Sequence, residues 1–314
     1  MPVQKWMWAA FLLGAGLPVL ATPVAPPDQP QQQYAVSTSH DRLGRLLAPV
    51  YINGRGPFRF LIDTGSTGTF VGSRLARELG IAPPDKNPQL MRIHDVMGTI
   101  DAPAIHVTRL DLGPFVETDL TLPSLPIEDL SGANGVLGVE GLRGRQLSVD
   151  FRRDIITIDD GGQYIPARFD RLQAEIQKGS LMVVSIRISD VEAPTLIDTG
   201  AETTVINLAM LKAIRAAGER PLPIKETTLI NLFGTKVPGT FYLVDDVKIA
   251  GYRLDHLPVA VVSSELFESW GYPDTPAIVL GMDVLGLADG LVLDYRNAEL
   301  YVGFPTIKSN YRLH

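Results

Sequence analysis

One short pattern occurs twice in this chain of 314 residues. Residues 60–66 read Phe-Leu-Ile-Asp-Thr-Gly-Ser, and residues 195–201 read Thr-Leu-Ile-Asp-Thr-Gly-Ala. In each copy an aliphatic pair leads to an aspartate, Asp63 or Asp198, in a turn that contains glycine. A single Asp-Thr-Gly is weak evidence, because these are ordinary turn residues. Two copies predict a repeated fold that brings two carboxylates together.

Further matching segments follow the two copies in the same order. Val136-Leu137-Gly138 follows the first copy, and Val279-Leu280-Gly281 follows the second. Residues 147–152 (Leu-Ser-Val-Asp-Phe-Arg) then correspond to residues 291–296 (Leu-Val-Leu-Asp-Tyr-Arg). Self-similarity in a fixed order indicates a duplicated architecture.

These residues resemble the aspartic peptidases, the superfamily of pepsin and the retropepsins. Its motif is an apolar pair, Asp-Thr-Gly, then Ser, Thr or Ala, with an aliphatic-aliphatic-Gly element later in the same lobe. Both elements occur twice here, so the resemblance covers residues 43–304 and is strongest to the single-chain, retropepsin-like aspartyl proteases of bacteria. It implies an all-β, bilobal acid-protease fold with two homologous β-barrel-like lobes and few short helices. It also implies an extended polypeptide substrate, no metal or other cofactor, and a monomer, since one chain carries both half-sites.

Asp63 and Asp198 are the predicted catalytic pair. Like charges about 3 Å apart repel strongly in a shielded cleft, so one carboxyl keeps a proton while the other stays charged. The charged member can take a proton from a bridging water while the neutral member hydrogen-bonds the scissile carbonyl. Which aspartate is the base stays open, because the titration belongs to the pair. Two alternatives also stay open: both aspartates as plain turn residues, and a catalytically silent peptide-binding protein of the same fold.

Four glycines are predicted to support this site. Without a Cβ, glycine lets main chain approach a neighbouring group closely. We expect this of Gly65 and Gly200 beside the carboxylates, and of Gly138 and Gly281 where a strand crosses beneath each catalytic loop.

Two threonines and one serine are assigned further roles. The resemblance implies that Thr64 and Thr199 hydrogen-bond across the lobe interface. Ser66 can donate a hydrogen bond to the outer oxygen of Asp63, whereas Ala201 can give Asp198 no such bond. This difference predicts an acidic to mildly acidic pH optimum.

Peptidases of this superfamily cover the substrate with a β-hairpin flap, and two segments occupy the matching positions. Met97 and Gly98 lie in the first candidate flap, and Phe233 and Gly234 lie in the second. An ordinary hairpin tip explains each glycine equally well. Glu202 stands where retropepsins have an aspartate that contacts the peptide backbone, although a solvated or structural role fits it too.

Composition argues against several other classes of protein. The net charge is −7 and the pI is near 5.3, with no Lys/Arg stripe, so nucleic acid is not an expected partner. Cysteine is absent, which excludes disulfides, thiolate metal sites and a cysteine nucleophile. The five histidines lack the spacing of a metal site. Residues 65–68 (Gly-Ser-Thr-Gly) lack the spacing of a serine-hydrolase nucleophile elbow.

The N-terminal residues predict export. Lys5 precedes the apolar run of residues 6–20, and a small-residue cleavage site follows at Ala21, which is typical of a signal peptide over residues 1–21. An uncleaved anchor in the inner membrane is the alternative. We expect an exported protein, in a bacterial periplasm or secreted. A Pro/Gln-rich tether (22–40), an N-terminal lobe (41–162) and a C-terminal lobe (163–314) complete the expected organisation.

Most of the chain alternates polar and apolar residues between turn signals, which is typical of strands. Asn53-Gly54 is a strong hairpin signal. A helix is predicted over residues 208–217, where helix-spaced Leu211 and Ile214 precede Gly218. Shorter helices are predicted at residues 73–79 and 264–270 and just after each aliphatic-aliphatic-Gly element.

Overall fold

The structure, a computed structural model, describes residues 34–40, 44–84, 86–95, 98–113, 115–127, 132–159, 165–178, 180–230, 234–263 and 265–305. The predicted signal peptide and residues 22–33 of the predicted tether lie outside these ranges. So does the predicted boundary between the lobes, at residues 162 and 163. Within the described residues, no helix is both long and apolar enough to cross a bilayer.

The first half of the described chain is built mainly of strands. In chain order they are β1 (Tyr34–Ser37), β2 (Ser39–His40), β3 (Leu46–Ile52), β4 (Arg55–Ile62), β5 (Phe70–Gly72), β6 (Leu90–Asp95), β7 (Gly98–Leu112), β8 (Phe115–Leu125), β9 (Gly135–Leu137), β10 (Gln146–Asp150) and β11 (Ile155–Asp159). Strands β2 to β9 form one sheet in the order β2-β3-β4-β9-β5-β8-β7-β6, and pairing of β3 with β7 closes it into a barrel-like form. Helix α1 (Ser73–Leu79) follows β5, and a 3₁₀ helix (Glu140–Leu142) follows β9.

The second half repeats this plan. Its strands are β12 (Asp170–Gln177), β13 (Leu181–Ile188), β14 (Val191–Ile197), β15 (Val205–Asn207), β16 (Leu222–Ile230), β17 (Lys236–Val244), β18 (Val247–Ile249), β19 (Tyr252–Leu254), β20 (Leu257–Val262), β21 (Ile278–Leu280), β22 (Gly290–Asp294) and β23 (Glu299–Gly303). Its helices are α2 (Leu208–Ala216), α3 (Glu265–Trp270) and α4 (Met282–Leu285). Helix α2 begins at Asn207, whose side chain accepts a hydrogen bond from the Met210 N–H at 2.8 Å.

The strand pairings of the two halves correspond one to one around the aspartates. Strand β4 pairs in parallel with β9, and β14 pairs in parallel with β21. Strand β9 then pairs antiparallel with β5, as β21 does with β15. Finally, β5 lies parallel to β8, as β15 does to β20. The predicted all-β, two-lobed fold with few short helices is confirmed.

The halves are joined by a shared sheet. Strand β10 of the first half pairs antiparallel with β22 of the second, with Leu147 opposite Leu293. Strands β11 and β1 extend this sheet on one side, and β23 and β12 extend it on the other. The tether prediction is therefore wrong for its last residues, because residues 34–37 form β1 against β11, and residues 39–40 form β2 against β3. One continuous hydrophobic core includes residues of both halves, among them Ile62, Ile197 and Leu147.

Candidate active site

The two aspartates occupy equivalent places at the ends of buried strands. Asp63 follows β4 and Asp198 follows β14, and the last three residues of both strands are buried. The Asp63 N–H donates to the carbonyl oxygen of Leu137 at 3.0 Å, and the Asp198 N–H donates to that of Leu280 at 3.1 Å. The aliphatic residues before each aspartate thus place it beside the matching aliphatic-aliphatic-Gly strand.

Two threonines join the two Asp-Thr-Gly turns through four hydrogen bonds, which we call the threonine clasp. The Thr64 hydroxyl donates to the carbonyl oxygen of Ile197 at 2.7 Å, and the Thr199 hydroxyl donates to that of Ile62 at 2.7 Å. The Thr199 hydroxyl also accepts the main-chain N–H of Thr64 at 3.2 Å, and the Thr64 hydroxyl accepts the main-chain N–H of Thr199 at 3.0 Å. Both threonines are fully buried. The clasp therefore fixes the register between the halves, as the resemblance implies.

The glycine after each threonine packs against the carboxyl group of the opposite half. A Cβ on Gly65 would lie 2.5 Å from Cγ of Asp198, and one on Gly200 would lie 2.4 Å from Cγ of Asp63. Real Cβ atoms do not approach other heavy atoms so closely, so only glycine fits at either position. Each glycine thus leaves room for a carboxylate, as expected, and this carboxylate belongs to the other half.

This packing brings the two carboxyl groups together. Asp63 is 3% exposed and Asp198 is 4% exposed, and their side chains share a hydrogen bond. The Gly65 N–H donates to Oδ1 of Asp63 at 2.8 Å, and the Gly200 N–H donates to Oδ1 of Asp198 at 2.8 Å. The structure thus contains a buried pair of interacting carboxyls, the arrangement in which one proton is shared.

Burial dominates the electrostatics of Asp198. Removal from water raises the pKa of this carboxyl, and four weaker interactions oppose that rise. They are the N–H groups of Gly200 and Ala201, the hydrogen bond with Asp63 and the positive charge of Arg45. The Ala201 N–H lies 3.0 Å from Oδ1 of Asp198. Ala201 therefore supports the carboxylate through its main chain.

The expected role of Ser66 is wrong. Its hydroxyl donates to the carbonyl oxygen of Gly68 at 3.0 Å, so its single proton is directed away from the outer oxygen of Asp63. The turn around Ser66 explains this, because Gly68 lies only two residues further along the loop. Any difference between the two aspartates must therefore come from other groups.

Gly138 and Gly281 lie where two chain segments cross at close range. A Cβ on Gly138 would lie 2.4 Å from the carbonyl oxygen of Gly68, and one on Gly281 would lie 2.6 Å from the carbonyl carbon of Thr203. Both neighbours are main-chain atoms of the loop that carries the aspartate. The geometry agrees with the prediction that a strand passes beneath each catalytic loop.

Two acidic residues that accept hydrogen bonds from the Asp-Thr-Gly loops were not predicted from the sequence. Oε1 of Glu140 accepts the Thr69 N–H at 2.9 Å, and Oδ2 of Asp283 accepts the Thr204 N–H at 2.9 Å. Oδ1 of Asp283 also accepts the Thr204 hydroxyl at 2.8 Å. Burial raises the pKa of Asp283, although these bonds oppose the rise. A sequence signal existed, since each acid comes two residues after the glycine of its aliphatic-aliphatic-Gly element.

Two further residues near the aspartates were also missed. Tyr295, directly after β22, is 8% exposed, and its hydroxyl has no hydrogen-bond partner among the described residues. Burial raises the pKa of this phenol, and the charge of Asp63 raises it further. Arg45, directly before β3, is 7% exposed. Arg45 belongs to no motif, and Tyr295 belongs to the repeated segment 291–296 but matches Phe151 there, so the sequence did not connect either residue with the aspartates.

The candidate flaps are β-hairpins. Strands β6 and β7 pair with Asp95 opposite Gly98, and β16 pairs with β17 in the second half. Gly234 is exposed between β16 and β17, with a φ of +78°. Met97 and Phe233 lie outside the described residues. Glu202 is exposed, and its carbonyl oxygen accepts the Asp283 N–H at 3.1 Å, so its main chain has a structural role.

Among the described residues, no group of three or more His, Cys, Asp or Glu could hold a metal ion.

A sequence model described as aspartyl protease matches residues 48–140 and 184–284, together more than half of the chain. Among solved structures, the basic 7S globulin from soybean matches with 15% identity and a TM-score of 0.49, over 87% of this chain and 95% of the globulin. No curated protein matches the chain significantly.

Proposed function

The chain belongs to the aspartyl protease family, and from that membership we propose that it is an endopeptidase that hydrolyses polypeptide bonds with Asp63 and Asp198. The observation that carries the proposal is the buried, hydrogen-bonded pair of carboxyls, each packed on the glycine of the other half. Turn residues without a chemical role would have no reason to keep two acids in contact away from water, because burying such a pair costs free energy.

The proposed reaction needs one charged and one neutral carboxyl. The charged carboxylate takes a proton from a bridging water, whose oxygen then bonds to the scissile carbonyl carbon. The neutral carboxyl gives its proton to the carbonyl oxygen, which forms a tetrahedral diol. When the C–N bond breaks, the nitrogen receives a proton from one carboxyl, and a hydroxyl of the diol returns a proton to the pair. Fixed donors in a buried site favour this charge movement more than water does.

The substrate in this proposal is an extended polypeptide between the two halves. The hairpins β6–β7 and β16–β17 hold corresponding places in the strand order of the two halves, and an extended peptide can pair its main chain with such strands. We place Met97, Gly98, Phe233, Gly234 and Glu202 on this path as proposed substrate contacts. Because both half-sites belong to one chain, the active species is a monomer.

A comparison of isosteric variants tests the proposal. Asp63→Asn and Asp198→Asn each remove one ionisable oxygen and keep the shape of the side chain, so we expect each to abolish cleavage of a peptide library by the exported, purified chain. Asp274→Asn, at an exposed acid on another loop, is the matched control and should cleave normally. Circular dichroism verifies that all three variants are folded.

Two results would contradict the endopeptidase. One is cleavage that persists in Asp198→Asn, which would place the chemistry elsewhere. The other is a wild-type chain that binds peptides but cleaves none between pH 3 and pH 8, which would identify the silent peptide-binding alternative. Cleavage that persists with a strong chelator supports the absence of a metal cofactor, and light scattering at the assay concentration checks the monomer.

Export of the chain belongs to the same proposal. Its support is the order of Lys5, the apolar run of residues 6–20 and Ala21 in the sequence. The N-terminal sequence of the mature protein distinguishes the two forms, since cleavage begins the chain at Thr22 and an uncleaved anchor leaves Met1 in the membrane fraction.

A further inference from the structure

A cavity of about 320 Å³ lies in the first half, next to the loop that follows Asp63. Leu110 of β7, Phe115 of β8 and Leu137 of β9 belong to its apolar lining. Charged residues of β8, of the 3₁₀ helix and of the turn after that helix complete the wall. Cavities of this size hold small ligands, with an apolar wall for the body of the ligand and a few polar groups that select it.

The second half carries a buried valine where this cavity has a glycine. Gly141 and Val284 are equivalent, each three residues after the glycine of its aliphatic-aliphatic-Gly element, and Val284 is fully buried. A Cβ on Gly141 would lie 3.3 Å from Cζ of Phe115 and 3.8 Å from Oε1 of Glu117, so a larger side chain there would enter the cavity. The φ of Gly141 is not in the left-handed region, so the turn itself does not require glycine. The two halves therefore differ in the side-chain volume at this place.

Two of the charged residues in the wall are paired with each other. Nη1 of Arg145 lies 3.1 Å from Oε1 of Glu117, and it also donates to the carbonyl oxygen of Gly141 at 3.0 Å. The Arg145 guanidinium lies 4.7 Å from the centre of the Phe115 ring, a cation–π contact. These contacts hold Arg145 on one wall of the cavity, where the charge of Glu117 balances its own.

Glu140 is the acid of the cavity wall that lacks a cation. Among the described residues it accepts hydrogen bonds only from Thr69, whose N–H lies 2.9 Å from Oε1, and it forms no ion pair. In the second half both oxygens of its counterpart Asp283 accept hydrogen bonds. A carboxylate can accept about four, so Glu140 can bind a further donor, and its exposure makes it accessible from solvent. Arg143, the other charged residue of the wall, is exposed, so water screens its repulsion of a cation.

We propose that this cavity binds an organic cation, with an ammonium group that donates to Glu140 and a short apolar chain that packs on Leu110, Phe115 and Leu137. Charge-assisted hydrogen bonds are the stronger kind, and the apolar wall matches the chain. A free alkylamine and the lysine side chain of a polypeptide share this chemistry. The proposal concerns binding and does not depend on the proposed function.

The site is connected to the loop after Asp63. Thr69 donates its N–H to Glu140, and its hydroxyl accepts the N–H of Gly138 at 3.2 Å. Gly138 in turn crosses the main chain of Gly68 at close range. A bound cation would therefore contact the acid that holds this loop.

Isothermal titration calorimetry of the purified chain with n-butylammonium chloride at pH 7 tests the site. Wild type should bind one equivalent, and n-butanol, which has the same chain without the charge, should bind at least tenfold more weakly. Glu140→Gln should also weaken binding of n-butylammonium at least tenfold, because it removes the charge that assists the hydrogen bond. Glu78→Gln, at an exposed acid of α1, is the matched control and should bind like wild type.

A second variant tests the cavity rather than the charge. Gly141→Val copies the residue of the other half and should reduce binding at least tenfold, with circular dichroism as the check that it folds. Nα-acetyl-lysine amide separates the two sources of the cation. Binding as tight as that of n-butylammonium shows a site for a lysine side chain of a polypeptide, whereas binding of the free amine alone shows a site for small amines.

Three results would overturn the proposal. They are the absence of saturable binding to wild type, equal affinities for n-butylammonium and n-butanol, and an unchanged affinity in Glu140→Gln. The first two need no variant, so the test remains decisive if a variant does not fold. A chain that cleaves no peptide but binds n-butylammonium refutes the proposed function alone.

Discussion

Removing one hydroxyl from the threonine clasp should cost stability and activity together. Thr199→Val keeps the shape of the side chain but deletes its donation to the Ile62 carbonyl at 2.7 Å and its acceptance of the Thr64 N–H at 3.2 Å. Both partners are buried, and a buried donor or acceptor that is left without a hydrogen bond costs about 1–3 kcal/mol of stability. The loss in the free energy of unfolding should therefore be about 2–6 kcal/mol, out of the roughly 5–15 kcal/mol that is usual for a domain.

Thr64→Val should have the same effect in the first half. Thr64→Val also deletes two bonds, to the Ile197 carbonyl and from the Thr199 N–H. The two variants should therefore lose equal stability, within about 1 kcal/mol. In activity, both should lower kcat about 100-fold with little change in KM, because a shift of about 1 Å between catalytic groups has this effect.

Urea denaturation and steady-state peptide cleavage measure these effects. Thr199→Ser keeps the hydroxyl and should retain most of both properties. Thr195→Val is the control outside the clasp, because this fully buried threonine donates only to Ala193 in its own strand. It should lose about 1 kcal/mol and keep full activity. If Thr199→Val lost no more stability than Thr195→Val, the clasp would not be what holds the halves in register.

Three further predictions concern the groups around the clasp. Gly200→Ala places a Cβ 2.4 Å from Cγ of Asp63, so we expect at least a 100-fold loss of kcat in a folded protein, measured by peptide cleavage with circular dichroism as the check. Asp283→Ala leaves the N–H and hydroxyl of Thr204 without an acceptor, and urea denaturation should show that the free energy of unfolding falls by about 2–5 kcal/mol. Asp283→Asn keeps one acceptor oxygen and should lose less stability. Burial raises the pKa of Asp198 in the folded state, so its contribution to stability is complete below the unfolded pKa and is lost as the pH rises through the folded one. Asp198→Asn should therefore gain stability relative to wild type between pH 3 and pH 7, and a constant difference across that range in urea denaturation would contradict this reasoning.

The repeated segments allowed most of the fold to be predicted. Leu61-Ile62 and Leu196-Ile197 specify buried strands by their apolar runs, and the order of the matching segments carries the topology. The helix at residues 208–217 was predicted within one residue, because its apolar spacing and the glycine that follows it are local signals. The strands at residues 34–40 were missed because β1 is defined by its pairing with β11, more than a hundred residues along the chain, and not by its own composition.

The candidate site, too, was predicted from the sequence only in part. Asp63 and Asp198 could be placed together because the repeat requires it. The hydroxyl of Ser66 could not be assigned correctly, because the choice between Asp63 and Gly68 depends on the path of the loop. Tyr295 approaches Asp63 through contact between the two halves, and the burial of Arg45 depends on packing around the β3–β4 hairpin, so composition alone indicated neither residue.

The difference between Ser66 and Ala201 shows what a covalent link between two half-sites permits. In an enzyme assembled from two identical chains, every amino-acid replacement appears on both sides of the symmetry axis. Here a single amino-acid replacement changes one half and leaves the other as it was. Natural selection or an engineer can therefore adjust the surroundings of Asp63 and Asp198 independently.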